Sequence, residues 1–292
     1  MKKNGRFIGY LFIAPNVIGV IVFMLIPFLF SLVLSFSNWN HLQGLSKINF
    51  AGFANFARLS GDEGFKVSLF NNIIYTFIGV PISVILALVL AVFLNDKVFG
   101  KAILRASFFL PYITNGVAVS FVWMLLFQPT TGPINMFLMS MGIKNPPQWL
   151  TSTKWALPAL IIINVWATVG YNAVIYLANI QSISQDVYEA AEVDGARGFK
   201  KFLYITFPLL SPSTFFLLMT GIITSFKVFG IVAALTQGGP VKSTSVLGYY
   251  IYTTAFRYYD MGYASAISWV LFGLIFAVTF IQWQLQKRWV HY

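Results

Sequence analysis

Asn164, Thr168 and Tyr171 are spaced at i, i+4 and i+7, which puts them on one face of a helix, and Asn172 lies beside them. Thr220, Thr224 and Lys227 repeat that spacing further along the chain. Amides and hydroxyls offer donors and acceptors, and tyrosine adds an apolar ring face with a polar tip. Together these groups suit a neutral ligand that carries both hydrogen-bonding groups and an apolar face. Trp123 and Asn115 bring a further ring and amide from a third stretch. Each residue also has a competing structural role. Asn164 and Asn172 can bond neighbouring helices, and Tyr171 can simply pack. Lys227 stands in an otherwise apolar run, where an ammonium is costly unless paired or wetted. It can meet an acid on a neighbour, snorkel outward or face a hydrated cavity.

Other chemistries find little support. The chain has no cysteine, which removes thiol catalysis, disulfides and Cys-ligated metal. Its two histidines, His41 and His291, are far apart in sequence, so no His-based metal or catalytic site is visible. There is no Gly-x-x-x-x-Gly-Lys-Ser/Thr run to cradle nucleotide phosphates. The expectation is a chain with no catalytic residues, no metal and no cofactor of its own.

The elements that position these residues follow from composition. Of 292 residues, 58% are hydrophobic and 9% charged, against about 25% charged in a soluble domain. Charge-free runs cover residues 7–46, 67–95, 106–143, 155–185, 202–226 and 261–286. Each exceeds the roughly 20 residues needed to cross a hydrocarbon core. Six spans are expected near 7–36, 69–94, 106–127, 156–178, 209–234 and 263–285. The first run is too long for a signal peptide and reads as an uncleaved span, with Pro15 and Pro27 as kinks.

The net charge of +11 suits topology better than nucleic acid. With the N-terminus inside, the inner segments 1–6, 95–105, 179–208 and 286–292 hold Lys2, Lys3, Arg6, Lys97, Lys101, Arg105, Arg197, Lys200, Lys201, Lys287 and Arg288. The longer outer segments 37–68, 128–155 and 235–262 hold only Lys47, Arg58, Lys66, Lys144, Lys154, Lys242 and Arg257. Both termini are therefore expected in the cytoplasm. Trp39, Trp149 and Trp155 fall at outer edges, and Trp283 and Trp289 at the inner edge, where amphipathic rings prefer to sit. The reading is an all-α transmembrane fold, one polytopic domain over 1–292.

One inner segment, 179–208, differs from its surroundings. Four of the eight acidic residues, Asp186, Glu189, Glu192 and Asp194, lie in it. Ser184 or Ser182 can cap a short helix there, with acids in its first turns, and Gly195 can end it in the left-handed conformation. A basic amphipathic stretch follows, and Pro208 is expected to open the next helix at its first position. Such a loop can lie on lipid headgroups or meet a protein. Its acids would be repelled by an anionic inner leaflet, and Ala190 and Ala191 leave a small, flat surface, so a protein partner fits it better.

The pattern Glu189-Ala190-Ala191, three residues, Gly195, nine residues, Ile205, then Phe207-Pro208 resembles the EAA loop of binding-protein-dependent ABC importer permeases. Phe207 stands where that pattern has leucine. The runs Ser225-Phe226-Lys227-Val228-Phe229, Leu235-Thr236-Gln237-Gly238-Gly239-Pro240 and Gly262-Tyr263-Ala264-Ser265-Ala266 are similar to the sugar-importing branch, although Phe229-Gly230 replaces its common Phe-Asp. The likeness spans a family core of about 69–286.

It implies a six-span type I importer permease of a bacterial or archaeal plasma (inner) membrane, moving a sugar by alternating access. Glu189, Ala190, Ala191, Asp194, Gly195, Ile205 and Pro208 would form the coupling element for an ATPase. The implied partners are a second homologous permease, two ABC ATPase subunits that carry ATP and Mg, an extracytoplasmic sugar-binding protein, and membrane lipid, with no nucleic acid. An ion-coupled carrier or channel working alone is the rival. It would usually show a carboxylate inside a span, and none of the expected spans contains one.

Overall fold

Peptide groups in hydrocarbon find partners only along a helix or in a closed barrel, and the apolar runs of this chain are helical. A computed structural model describes residues 2–95 and 100–290, with side chains from Tyr10 onward. Lys97 and His291 lie outside the described residues, as do the side chains of Lys2, Lys3 and Arg6.

The chain opens with α1 (Lys2–Val20), a π-helical segment Ile21–Leu25 and α2 (Ile26–Ser35). The wide turn just before Pro27 accommodates a residue that has no N–H to give. Strands β1 (Ser37–Asn38) and β2 (Asn49–Phe50) pair antiparallel, Ser37 opposite Phe50. There follow α3 (Ala54–Leu59), α4 (Glu63–Asn95), α5 (Lys101–Ile113), α6 (Gly116–Leu126), α7 (Pro133–Ser140) and α8 (Ala156–Ser182). The remainder is α9 (Gln185–Val193), α10 (Phe199–Lys201), a π-helical segment Phe202–Thr206, α11 (Phe207–Leu209), α12 (Ser211–Phe226), α13 (Gly230–Leu235), α14 (Leu247–Tyr252) and α15 (Met261–Gln286).

Among the described residues four helices are long and apolar enough to cross a membrane: Tyr10–Ser35, α4, α8 and α15. Two bent pairs raise the number to as many as six. These are α5 with α6, at 101°, and Phe199–Leu209 with α12, at 61°. The third expected span, 106–127, is thus not one rod. Thr114 is extended, and Asn115 turns its side chain onto the next helix, its Oδ1 accepting from Val117 N (2.9 Å) and Ala118 N (3.4 Å). That cap starts α6 in a new direction.

The fifth expected span, 209–234, also differs. Pro208 does not open a helix, because it sits inside the continuous run Phe199–Leu209. The bend follows it, and Pro212 takes the first-turn position of α12. At the other end α12 stops at Phe226, so Lys227 is an exposed C-cap and not a mid-span residue. A cation there faces the negative end of the helix dipole.

Two compact units make up the chain, one from Met1–Glu63 with Ile251–Phe272, the other from Gly64–Tyr250 with Gly273–Tyr292. In the first, buried Asn55 donates to the carbonyls of Ser35 (3.1 Å) and Ser37 (2.9 Å), fixing α3 to the end of α2. Arg58 pairs with Asp260 at 2.7 Å and lies over the Tyr263 ring, whose hydroxyl donates to Asp62.

In the second unit α8 is the central element. One side of it joins Tyr75, Val232, Val246 and Tyr249 through Leu157, Leu160, Ile161 and Val165. Another joins Val119 and Phe127 through Ala159 and Ile163. Further along α8, Gly170 lies so close to α5 that a Cβ would overlap the Phe108 carbonyl. Gly170→Ala should therefore push the two helices apart and cost about 1–3 kcal/mol. Gly273, with open space around it, serves as the control. Thermal unfolding in detergent checks this, and an equal response of both variants would disprove the close crossing.

Candidate functional site

A cavity of about 290 Å³ lies between α4, α5, α8 and α12. Helix α8 contributes Asn164, Thr168, Tyr171 and Asn172, the face read from the sequence, and α12 contributes Thr220, Thr224 and Ser225. Tyr75, Val80 and Ser83 come from α4, and Tyr112 from α5. No charged side chain lines it. Its size is near the lower end of the roughly 300–1,000 Å³ of ligand pockets.

The hydrogen bonds in its wall have a definite direction. Thr168 Oγ1 donates to the Asn164 carbonyl at 2.8 Å. Its single proton is then used, so Ser83 Oγ, 2.8 Å away, must be the donor to Thr168. Asn172 Nδ2 in turn donates to Ser83 Oγ at 3.0 Å. This chain fixes two faces of the cavity and leaves the Asn172 oxygen and the whole Asn164 amide facing no protein partner among the described residues. Thr220 and Thr224 donate to carbonyls of their own helix, at 2.7 Å to Phe216 and 2.9 Å to Thr220, so their oxygens remain as acceptors. Tyr171 and Tyr112 stack with ring centroids 4.2 Å apart and 13° between planes, which makes one aromatic surface of two rings.

Ser83 and Tyr112 were not singled out by sequence spacing. A signal for Ser83 existed: Asn72, Thr76 and Ser83 are spaced i, i+4, i+11 on one face of α4, and all three are buried. Tyr112 carried none, because its partner is on another helix. Three predicted residues fall outside the cavity. Asn115 caps α6, and Trp123 packs on Phe127 (4.9 Å) and Trp166 (5.4 Å). Lys227 is exposed one residue before the lining Val228.

The second feature is the helix α9. Ser184 caps it, its Oγ accepting from Asp186 N at 3.3 Å. Gly195 ends it with φ +82°, and the Ala196 N–H closes on the Ala191 carbonyl at 2.8 Å. Glu189, Ala190, Glu192 and Asp194 are exposed. Ala191 is not part of that surface: at 5% exposure it faces into the chain. The apolar contribution comes from Val193, 88% exposed and one turn from Ala190. Glu189 accepts from Gln185 Nε2 at 2.9 Å, and Glu192 pairs with Lys201 at 2.7 Å, tying α9 to α10. Ile205 lies in the π-helical segment after α10 and Pro208 in α11, both beyond α9 itself. Among the described residues no cluster of His, Cys, Asp or Glu could hold a metal.

Residues 51–291 match the family described as "Binding-protein-dependent transport system inner membrane component". The chain is 37% identical to the probable ABC transporter permease protein YesP of Bacillus subtilis (strain 168) over 294 residues, which covers 99% of this chain and 94% of that one. It is 36% identical to the lactose transport system permease protein LacF of Rhizobium radiobacter, covering 96% and 94%. Its fold is similar to a chain of a bacterial alginate ABC transporter, crystallised in complex with an alginate pentasaccharide-bound periplasmic protein. The TM-score is 0.82, with 23% identity, covering 98% of this chain and 96% of that one.

The Lys201 hydrogen bond and charge hold the Glu192 carboxyl below the usual carboxylate range, opposed by a little desolvation and helped by Arg197. A depressed folded-state pKa means that the tie is fully present above the ordinary glutamate value, about 4.3, and fades only as pH falls through the lower, folded-state one. Hydrogen exchange of the α9–α10 amides should hence be insensitive to this group from neutral pH down to that value. Comparison with Glu192→Gln over the same range isolates it, since the difference between the two proteins should vanish only at the acid end.

Proposed function

The chain belongs to the family of binding-protein-dependent transport system inner membrane components, and on that premise we propose that it is the permease subunit of an ATP-driven importer that passes a sugar or oligosaccharide into the cytoplasm. The observation that carries this reading is the cavity between α4, α5, α8 and α12. It combines amides, hydroxyl acceptors and a stacked tyrosine surface with no charged side chain. Such a lining can exchange hydrogen bonds with a sugar's hydroxyls while its rings cover the C–H face. A proton- or sodium-coupled carrier is the weaker reading, because the cavity presents no carboxylate to titrate or to hold a cation.

Six spans with both termini in the cytoplasm are the topology that fits the basic residues. It counts each bent pair as one crossing and puts α9 on the inner face. There α9 serves as the coupling helix. Glu189 and Ala190, extended by Val193, meet an ATPase subunit, Gly195 and Asp194 form the turn that follows, and the segment holding Ile205 and Pro208 leads back into the membrane. Ala191 supports the helix from behind. ATP and Mg are held by two such ATPase subunits. A second, homologous permease completes the path, and an extracytoplasmic sugar-binding protein delivers the substrate to the outer loops.

Coupling then needs only that nucleotide binding favour one arrangement of α9 over another. Helix α8 ends at Ser182 and α9 starts at Gln185. A shift of α9 therefore reaches Asn172 along about 15 Å of helix, with just Ile183 and Ser184 intervening.

Two sets of substitutions test the two sites separately in membrane vesicles that contain the assembled transporter. Tyr171→Ala with Asn172→Ala should lower sugar uptake about tenfold or more, which corresponds to some 1.4 kcal/mol, while the ATPase subunits stay bound. Glu189→Lys should weaken ATPase association and uptake together. Unchanged uptake in the first set removes the cavity from the path, and unchanged association and uptake in the second removes α9 from coupling.

A further inference from the structure

A second and larger space, about 700 Å³, opens where the last turns of α4 and α8 meet the segment after α9. Its walls are mainly apolar: Val89 and Val92 of α4, Ile180 of α8, and Phe199 and Phe202. Tyr188 of α9 and Lys201 complete it, with Asn95 at the end of α4. The run Phe199–Leu209 beside it exposes Phe199 (74%), Tyr204 (68%), Leu203 and Phe207. Rings in that number on one short helix are stable only against an apolar phase. Helix α4 is long and apolar enough to cross a membrane, which puts lipid within reach of this edge.

Beside the Asn95 amide and the Tyr188 and Thr206 hydroxyls, two ammonium groups stand at the rim. Lys201 Nζ is 2.7 Å from Glu192 and 5.5 Å from the Tyr188 ring centroid. Lys101 Nζ donates to the carbonyl of the lining Asn95 at 2.9 Å. Each ammonium has three donors and spends one on the contact named. Among the described residues the cations Lys201 and Lys101, with Arg197 near Glu192, outnumber the one carboxylate named and have N–H groups to spare at the mouth of an apolar cleft.

We propose that this cleft, between α4, α8 and the α10 segment, holds one anionic phospholipid, its acyl chain against Val89, Val92, Ile180 and Phe202 and its phosphodiester at Lys201 and Lys101. A phosphodiester brings negative charge to a rim whose described residues are predominantly cationic, whereas a zwitterionic lipid also brings a further cation to it. The lipid would sit behind α9, on the side of Tyr188, opposite the exposed Glu189 and Ala190. This inference does not depend on which substrate the protein carries.

Native mass spectrometry of the assembled, detergent-purified transporter tests it, with phosphatidylglycerol and phosphatidylcholine of the same acyl chains as probes. Wild type should retain one phosphatidylglycerol per chain in preference to phosphatidylcholine. Lys201→Gln should weaken that retention about fivefold, the factor expected for one basic residue at a membrane surface. Glu192→Gln, at the rim beside Lys201, should strengthen it by freeing Lys201. Val92→Trp, which fills the cleft, should remove the retained lipid altogether. Equal retention of the two lipids overturns the proposal, as does retention that Glu192→Gln leaves unchanged. Loss of assembly in Val92→Trp with lipid retention intact would mean that a protein occupies the cleft, and would overturn it too.

Discussion

The amide of one buried residue, Asn72, decides where the cavity can form. Its Oδ1 accepts from Leu247 N at 3.0 Å and its Nδ2 donates to the Ser225 carbonyl at 3.4 Å. Leu247 is the first residue of α14, and Ser225 stands in the last turn of α12. Both groups belong to helix ends, and the Ser225 carbonyl also accepts from Val228 N at 3.2 Å. In surroundings without water, an unpaired Leu247 N–H would cost about 1–3 kcal/mol on mutational data. A single side chain of α4 thus closes the C-terminus of one helix and the N-terminus of another. Asn71 continues the pattern by donating to the carbonyls of Lys242 (3.0 Å) and Ser245 (2.9 Å), and Ser68 bonds the Ser245 hydroxyl at 2.7 Å.

With its end held, α12 can stop in the middle of an apolar stretch, and the cavity follows. Thr220 and Thr224 lie in its last two turns, opposite Ser83 about three turns beyond Asn72 on α4. The same α4 that fixes the break therefore supplies the hydroxyl that orders the Asn164–Thr168–Asn172 chain. The wall is polar without being charged because it is built from amides and hydroxyls, several of whose donors are already matched to a hydroxyl or carbonyl. What remains over, the Asn164 amide and the threonine oxygens, can accept or give a bond without moving a proton. A neutral, polyhydroxylated ligand needs no more than that, and an ion would find no full countercharge.

How much of this could be read from the sequence depends on the range of the signal. The face 164–168–171 and the ends of α9 at Ser184 and Gly195 are local: each rests on helical periodicity or on what one residue does to its own backbone. The breaks are not. Thr114-Asn115 lies in a run that is apolar on both sides, and the extended Thr114 becomes visible only once Asn115 is seen capping forward. Pro208 looked like a helix start because proline favours that position, yet a π-helical segment upstream lets it continue the helix from Phe199, and Pro212 marks the real start. Ala191 was grouped with Ala190 by adjacency, although neighbours on a helix point about 100° apart. Tyr112 could not have been found at all, since it owes its place to Gly170, where two backbones cross.

Lys227 shows how a helix end changes the meaning of a charge. Placed within a continuous span, its ammonium would need an acid, and no expected span contains one. Ending α12 at Phe226 removes that need. The last carbonyls of a helix carry partial negative charge, and Lys227 stands beside them as the C-cap, exposed and held by its own N–H to Thr224 O at 3.2 Å. Its charge then sits at the rim of a neutral cavity and not within it. Asn72 adds a bond to the Ser225 carbonyl from the other side, beside the one that carbonyl accepts from Val228 N at 3.2 Å. The break, the lysine and the asparagine are one device: α12 ends early, its exposed carbonyls are matched by an amide and a cation, and the cavity keeps its polarity without acquiring a charge.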